Sequence, residues 1–167
     1  MRAVHIRHAT EFDAEAISAL IQHYVPSGTL LPRSPAFVTT YIHDFLVAVN
    51  EEDRVIGCVH LDEYSPSLAE LRSLAVAPNA QGGGIGRKLV AATEELARVR
   101  QYTTLFAVSN DEAFFAKYGF DKRYIPELDR ERSEVSRYKG VYAKDLAEAP
   151  LEATTLRRPG RAKPEPR

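Results

Sequence analysis

A cluster of glycines constrains this chain more than any other feature of its sequence. Four of the nine glycines lie within the five residues 82–86. The cluster follows a predicted strand and opens a helical pattern, in which apolar residues recur at spacings of four and three through 85–99. Glycine lets backbone N–H groups turn inward with no Cβ in the way, and a helix start carries partial positive charge. The segment therefore predicts a strand–loop–helix unit whose loop can hold a phosphate or pyrophosphate, rather than a simple flexible turn.

Two common nucleotide-binding signatures do not fit this loop. A Walker loop needs a glycine at a fixed distance before a Lys-Ser or Lys-Thr pair, and no glycine here meets that requirement. The dinucleotide fingerprint Gly-x-Gly-x-x-Gly also fails, because its third position would be Arg87 or Leu89. The loop is thus neither a P-loop nor a Rossmann fingerprint.

Strand and helix patterns alternate along the rest of the chain. Strands are predicted at 4–8, 45–49, 54–64, 70–76, 103–108 and 137–144, and helices at 10–26, 34–44, 85–99 and 109–119. In the first helix, one apolar face is predicted from the i, i+3, i+4, i+7 spacing of Ile17, Leu20, Ile21 and Tyr24. Thr10 with Asp13 and Ser109 with Glu112 have the spacing of capping boxes, and Gly119 suits a left-handed helix end. An antiparallel meander followed by strand–helix–strand–helix–strand is typical of a mixed α/β domain.

Composition narrows the class of protein. A formal net charge of −1 argues against a nucleic-acid binder that relies on a basic surface, and no apolar run approaches the ~18 residues of a membrane span. The start of the chain lacks the layout of a signal peptide. Cys58 is the one cysteine, so an internal disulfide and a cysteine-built zinc site are excluded. We expect a cytoplasmic protein without nucleic-acid, membrane or metal partners, in which the five scattered histidines pack or face solvent; a homodimer is left open.

The chain divides into a predicted domain, 1–149, and a basic, proline-rich tail, 150–167. Residues 157–167 carry five basic side chains and one acidic side chain, and four of the ten prolines lie between 150 and 166. Such a segment has little apolar surface to bury. We interpret it as a solvated end in preference to a site for RNA or an acidic partner.

Three ordered elements resemble one enzyme family. Gln81-x-x-Gly84-x-Gly86 resembles the (Arg/Gln)-x-x-Gly-x-(Gly/Ala) signature with which GNAT N-acetyltransferases bind the pyrophosphate of acetyl-CoA. The preceding strand, 73–78, and the later segment 114–120, similar to the family's x-Tyr-x-Lys-x-Gly-Phe element, agree with it. The resemblance covers residues 4–144. It implies the GNAT fold, a mixed, mostly antiparallel twisted sheet of six to seven strands flanked by about four helices.

Within that family, the chain resembles the N-acetylglutamate synthases. The stretch 28–34 is similar to the segment before their second helix, and Phe114-Phe115 is similar to their form of the fourth helix. The resemblance implies transfer of acetyl from acetyl-CoA to the α-amine of glutamate, the first step of arginine biosynthesis. Two alternatives stay open: acetylation of another small amine or a protein N-terminus, and a non-catalytic acetyl-CoA sensor.

The resemblance also implies a set of site residues. Glu70 is the expected base, although it and Leu71 point to opposite faces of a strand and only one of them can face the cleft. The expected acetyl-CoA residues are Leu74, Ala75, Val76, Gln81, Gly82, Gly83, Gly84, Ile85, Gly86, Arg87, Asn110, Phe114 and Phe115. The expected substrate residues are Arg33, Arg72, Ser73 and Ser109, with Arg33 as a carboxylate clamp that Arg72 or Arg137 assists.

One departure from the family concerns the proton donor. Phe115 stands where many relatives have a tyrosine suited to protonating the coenzyme thiolate, and phenylalanine cannot donate a proton. Tyr118, three residues later, is expected to pack or cap. The general acid is therefore unassigned. Asn110 is a second departure, because some relatives carry an additional substrate-binding arginine there.

Overall fold

A computed structural model describes residues 3–128 and 139–146. Within these ranges the chain forms seven strands and four α-helices. The strands are β1 (His5–His8), β2 (Phe45–Val49), β3 (Val55–Glu63), β4 (Leu68–Val76), β5 (Thr104–Ser109), β6 (Asp121–Lys122) and β7 (Gly140–Asp145). The helices are α1 (Ala14–His23), α2 (Pro35–Thr40), α3 (Ile85–Val99) and α4 (Glu112–Ala116).

The strands form one sheet in the order β1-β2-β3-β4-β5-β7-β6. The β1–β2, β2–β3, β5–β7 and β6–β7 pairs are antiparallel, whereas β4 and β5 are parallel. This architecture confirms the predicted fold class, including the number of strands and helices.

The described residues divide into two compact units. The first comprises residues 3–62 and 71–95, and the second comprises 63–70, 96–128 and 139–146. The boundaries between the two units fall within β4 and within α3, and the amino-acid composition does not change at either place. The predicted tail, 150–167, and the start of the predicted last strand lie outside the described residues.

The core of the first unit is built on the helical face predicted for α1. Ile17 and Ile21 have no exposed surface, and they pack in one cluster with Val38 of α2. All five residues of β2 are buried. Burying a branched apolar side chain of this size contributes about 1.5–3 kcal/mol, so this face fixes α1 on the sheet.

The predicted capping box at Thr10 and Asp13 is present, but it opens a single 3₁₀ turn, and α1 begins only at Ala14. The Asp13 carboxylate accepts a hydrogen bond from the Thr10 N–H at 2.7 Å. Arg7 of β1 donates two further bonds to it, at 2.7 and 3.0 Å. Asp13 therefore ties the start of α1 to the edge strand β1.

This arrangement predicts an acid-sensitive contribution to stability. Hydrogen bonding from Arg7 holds the pKa of Asp13 below its ordinary value. A lowered folded-state pKa stabilises the fold above the unfolded pKa, and that stability is lost as pH falls through the folded one. Asp13→Asn is expected to lower the free energy of unfolding by about 1.5–3 kcal/mol at neutral pH and to flatten its pH dependence below about pH 4.

Urea unfolding at several pH values measures this effect. Glu52→Gln is the matched control, because the Glu52–Arg54 pair lies at the surface and surface pairs contribute little. Equal losses in the two variants, or an unchanged pH profile for Asp13→Asn, would contradict the assignment.

The core of the second unit gathers Phe106 of β5 with Val141 and Ala143 of β7, and Ile125 and Leu128 pack on the same cluster. These residues lie on one face of the strands. The opposite face carries Tyr142, against which α4 packs.

Two predicted helix boundaries were wrong. The N-cap of α4 is Asp111, whose carboxylate accepts from the Phe114 N–H at 3.0 Å, while Ser109 accepts only from the Asp111 N–H. The helix predicted at 34–44 ends at Thr40, and a separate 3₁₀ turn, Ile42–Asp44, follows.

The left-handed conformation predicted for Gly119 is confirmed, although the α-helix itself ends earlier, at Ala116. The φ of Gly119 is +83°, and the Phe120 N–H bonds to the Phe115 carbonyl at 3.1 Å while the Gly119 N–H bonds to the Ala116 carbonyl at 3.2 Å. This is the Schellman pattern.

Candidate active site

A bulge in β4 marks the centre of the candidate site in the first unit. Ser73 is buried and has a φ of +53°, a conformation that L-residues other than glycine seldom adopt. The Cys58 thiol on β3 donates to the Ser73 carbonyl, at a sulfur–oxygen distance of 3.4 Å. Burial raises the pKa of Cys58 to about 12, so the thiol keeps the proton that it donates. The strand is thus held in a bent form at Ser73.

The backbone of β4 beyond the bulge directs two amides away from β3. The Ala77 N–H donates to the Ile56 carbonyl at 2.9 Å, and backbone direction alternates along a strand. The N–H groups of Leu74 and Val76 therefore face the other edge. Within the described residues, the ladder to β5 joins only Leu68–Glu70 to Thr104–Phe106, so it ends before these amides.

Ala75 differs from its two neighbours. Its N–H bonds to the Cys58 sulfur, on the opposite side of the strand. Of the three residues expected to offer amides to acetyl-CoA, only Leu74 and Val76 are oriented for it. The Ala75 side chain is buried in the core of the first unit.

The glycine loop has the geometry of an anion cradle. Gly82 and Gly84 have φ values of +83° and +77°, and a Cβ at either position would meet no atom within 4 Å. The backbone conformation therefore favours glycine at both positions, and the space beside them is open. The loop leads directly into the fifteen-residue helix α3. An exposed backbone at a helix N-terminus fits a pyrophosphate.

Close packing fixes the loop on the sheet. Ile85 is buried, and a Cβ at Gly57 of β3 would lie 3.0 Å from Leu89 and 3.1 Å from Ile85. The Ile85 side chain thus anchors α3, and its contribution to a ligand would come from its backbone. Arg87, in the first turn of the helix, is exposed.

Tyr24 is a site residue that the sequence interpretation assigned only to the apolar face of the first helix. Its hydroxyl donates to the Val76 carbonyl and accepts from the Gln81 side-chain amide, at 2.7 Å in the second bond. It therefore joins the first residue of the glycine loop to the edge of β4. Helical spacing indicates burial of the ring but carries no information about the hydroxyl.

Arg33 lies just before α2, whose N-cap is Ser34. The guanidinium carbon of Arg33 stands 4.6 Å from the centre of the Phe37 ring, and the Arg33 carbonyl accepts a hydrogen bond from Ser18 of α1. This distance is within the range of a cation–π interaction, which holds the guanidinium over the Phe37 ring. Its position is therefore well defined.

Arg72 is placed differently. It forms an ion pair with Asp62 at 3.1 Å, and the two side chains are only 22% and 16% exposed. Much of its charge is compensated by this carboxylate. Arg137 lies outside the described residues.

Glu70 is the last residue of β4 in the parallel ladder, opposite Phe106. It is half-buried, whereas Leu71 is 4% exposed. Leu71 therefore takes the buried face of the strand, and Glu70 lies on the other face.

The two phenylalanines of α4, Phe114 and Phe115, differ in burial. Phe115 is 5% exposed and packs against Phe120 and Tyr142, whereas Phe114 is half-buried. Tyr118 packs edge-on against Phe114, as predicted. Phe114, rather than Phe115, offers ring surface to a ligand, and Asn110 before the helix is exposed.

No group of three or more His, Cys, Asp or Glu side chains suited to a metal ion occurs among residues 3–128 and 139–146. In the same part of the chain, no helix combines the length and apolar character needed to span a membrane.

Comparison with known proteins matches this chain to acetyltransferases, both by sequence and by structure. A family model described as "Acetyltransferase (GNAT) domain" matches residues 42–122. An uncharacterized N-acetyltransferase from Chlorobaculum tepidum is 35% identical over 125 residues, which cover 73% of this chain and 80% of that protein. An amino-acid acetyltransferase from Neisseria meningitidis is 34% identical over 139 residues, 82% of this chain and 32% of the relative. This chain thus spans about a third of the length of that relative.

Among solved structures, N-acetylglutamate synthase from Neisseria gonorrhoeae, complexed with coenzyme A and N-acetyl-glutamate, matches with a TM-score of 0.80 and 30% identity. The match covers 87% of this chain and 36% of the other.

Proposed function

Because this chain belongs to the GNAT family of acetyl-CoA-dependent N-acetyltransferases, we propose that its acceptor is the α-amine of an amino acid, L-glutamate, and that it performs the first step of arginine biosynthesis. The observation that carries the proposal is the likeness to the Neisseria gonorrhoeae enzyme, whose structure holds N-acetyl-glutamate, over 87% of this chain. We expect the reaction to take place in the cytoplasm.

The proposed chemistry is direct aminolysis of a thioester. Acetyl-CoA supplies an acetyl group activated by its sulfur. The backbone amides of 81–86 would hold the pyrophosphate, and the outward amides of Leu74 and Val76 would polarise the acetyl carbonyl. Glu70 would take a proton from the substrate ammonium, because only the neutral amine has a lone pair for attack. These contributions are positioning, charge stabilisation and proton transfer.

Arg33 is the proposed clamp for a substrate carboxylate. A guanidinium binds a carboxylate through two parallel hydrogen bonds and stays charged at every physiological pH. The stacking on Phe37 would hold this fork in one orientation before the substrate binds. Ser73 and Ser109 are the remaining proposed substrate contacts, although the buried Ser73 would act mainly through its backbone.

Arg33→Lys is therefore expected to raise the KM for glutamate by roughly 10- to 100-fold, because lysine keeps the charge but loses the fork. The KM for acetyl-CoA should barely change. Steady-state kinetics with each substrate varied in turn measures both values. Arg54→Lys, an exposed position in the β2–β3 turn, is the control. Equal effects on the two substrates, or none on either, would show that the carboxylate is held elsewhere.

The overall proposal is tested by following release of free CoA with a panel of amines. The panel contains glutamate, glutamine, other amino acids, a polyamine, an aminoglycoside and a peptide with a free N-terminus. Glutamate is expected to give the highest kcat/KM. Preference for a cationic amine or for the peptide would establish a different acceptor. Acetyl-CoA binding by calorimetry with no CoA release for any amine would favour a sensor.

Glutamine is the second candidate acceptor. Asn110 stands where some relatives carry an arginine, so this chain offers one cation fewer for a second carboxylate. The ion pair between Arg72 and Asp62 also favours glutamine, because it leaves less positive charge for a second substrate carboxylate. A kcat/KM for glutamine above that for glutamate would select it.

A further inference from the structure

The hydroxyl of Tyr24 bridges two parts of the candidate site, both in the first unit. It donates to the Val76 carbonyl, at the end of β4, and accepts from the Gln81 side-chain amide, at the start of the glycine loop. We propose that this Tyr24 bridge fixes the separation between the pyrophosphate site and the Val76 amide, and thereby favours the complete coenzyme over a fragment that fills one of them. The inference rests on the placement of acetyl-CoA in the proposed function and does not depend on the acceptor amine.

The first argument is the direction of the two hydrogen bonds. A tyrosine hydroxyl has one proton to donate. Because Tyr24 donates it to the Val76 carbonyl, the second bond runs from the Gln81 amide nitrogen to the phenol oxygen, at 2.7 Å. Gln81 is exposed, and an exposed side chain of this length has many rotamers open to it. The bridge therefore selects one orientation of Gln81.

The second argument is that the other end of the bridge is a peptide group held from both sides. The carbonyl of the peptide between Val76 and Ala77 accepts from Tyr24. The N–H of the same peptide belongs to Ala77 and donates to the Ile56 carbonyl of β3 at 2.9 Å. The Val76 N–H, one peptide earlier, is the group proposed to polarise the acetyl carbonyl. These two bonds restrict its movement relative to the sheet.

The third argument is the rigid support of the hydroxyl. Tyr24 directly follows α1, and its N–H bonds to the Ile21 carbonyl at 3.0 Å. Its ring packs against the buried cluster that contains Ile17 and Ile21, and the His23 ring meets it edge-on, with 5.0 Å between centroids. The hydroxyl is thus presented by a helix that is fixed on the sheet.

The fourth argument is the weak direct connection between the two ends of the bridge. Residues 77–80 join Val76 to Gln81 and contain one 3₁₀ turn, Pro78–Ala80, whose first two residues are exposed. A short exposed turn fixes the distance between its ends less firmly than a helix or a strand does. The Tyr24 bridge spans this turn and holds its two ends together.

The structure of the coenzyme makes this separation important. The pantetheine arm of acetyl-CoA links the pyrophosphate to the sulfur, so one molecule has to reach both the glycine loop and the Val76 amide. Two linked groups strengthen each other's binding only where the geometry lets both engage at once. A misplacement of about 1 Å can also cost about 10²-fold in rate. A fragment without the arm is insensitive to this distance.

Tyr24→Phe tests the proposal, because it removes one oxygen and keeps the packed ring. Calorimetry compares CoA with 3′-phospho-ADP, the nucleotide half of CoA, which carries the pyrophosphate without the pantetheine arm. We expect the Kd for CoA to rise by about tenfold and the Kd for 3′-phospho-ADP to change by less than about threefold. Equal weakening of both ligands would show that Tyr24 only supports the glycine loop. That result, or an unchanged Kd for CoA, overturns the proposal.

A double-mutant cycle identifies the bond itself. Gln81→Met keeps the length of the side chain and removes the donor. The double variant with Tyr24→Phe should bind CoA within about threefold of the weaker single variant, because both substitutions break the same bond. Losses that multiply would mean that the two side chains act independently, which contradicts the bridge. Tyr124→Phe removes the same atom from a ring that is 72% exposed, and this control should bind CoA like the wild-type protein.

The acceptor side gives a readout that loosening of α1 would change. The Tyr24 carbonyl accepts from the Leu30 N–H at 3.2 Å, in the loop that leads to Arg33, and phenylalanine keeps this carbonyl. In Tyr24→Phe we therefore expect kcat/KM for acetyl-CoA to fall by about tenfold or more, while the KM for the acceptor stays within about threefold. A matching rise in the KM for the acceptor would indicate a displaced helix and overturn the proposal.

The binding measurements also separate this inference from the proposed function. If the wild-type protein releases CoA with no amine of the panel, yet Tyr24→Phe distinguishes CoA from 3′-phospho-ADP as expected, the proposed function fails and the bridge stands. If the wild-type protein acetylates an amine and Tyr24→Phe binds both ligands like the wild-type protein, the bridge is refuted and the proposed function stands.

Discussion

Replacing Glu70 with glutamine is expected to lower kcat by roughly 10²- to 10⁴-fold near neutral pH and to leave the affinity for acetyl-CoA unchanged. Glutamine matches glutamate in shape but cannot accept the ammonium proton. The position suits a base because Glu70 closes the parallel ladder to β5, whereas Leu71 takes the buried face beside it. Steady-state kinetics together with calorimetric binding of CoA measures the two effects separately.

Two further variants make this test specific. Glu70→Asp keeps a carboxylate and should retain more turnover than Glu70→Gln, although the shorter side chain withdraws it from the amine. Glu15→Gln, on the exposed face of α1, is the control and should behave like the wild-type protein. Full turnover by Glu70→Gln would assign deprotonation to water or to a backbone carbonyl.

Gly84→Asp is expected to weaken acetyl-CoA binding by at least about 10²-fold. The residue has a φ of +77°, which aspartate tolerates better than most side chains, and a Cβ there meets no atom within 4 Å. The fold should therefore persist, while the carboxylate repels the pyrophosphate at the helix N-terminus. Calorimetry with CoA measures the loss.

Gly84→Asn separates charge from bulk at the same position. Asparagine has nearly the same shape and similar tolerance of this backbone conformation, so it should weaken binding much less than aspartate does. Equal losses in the two variants would mean that space, and not charge, limits the loop. Unchanged affinity in Gly84→Asp would remove residues 81–86 from the cofactor site.

The order of strands and helices was predictable because local signals and tertiary contacts agree. Helical spacing placed Ile17 and Ile21 on the buried face of α1, and the capping residue Thr10 lies within one turn of its start. The sequence pattern predicted the wrong N-cap for α4, where two nearby residues could both cap the helix. Ser109 has the capping-box spacing, but Asp111 is adjacent to the helix and its carboxylate binds the free N–H group.

The detailed geometry of the candidate site was less accessible from the sequence. A positive φ at Ser73 has no signature in residue type, because serine seldom adopts it and the bulge is held by the distant Cys58. The bond from Tyr24 to Val76 joins residues 52 positions apart.

The environment of Cys58 has a practical consequence for enzymology. It is the protein's one sulfhydryl, it is fully enclosed, and its raised pKa of about 12 keeps it almost entirely in the unreactive, protonated form at assay pH. Colorimetric disulfide reagents, which react with thiolates, should consequently register liberated coenzyme alone. The same burial protects Cys58 from air oxidation, so no reductant is needed during storage or turnover measurements. Thiol reductants would themselves react with the disulfide reagent and obscure the CoA that is released.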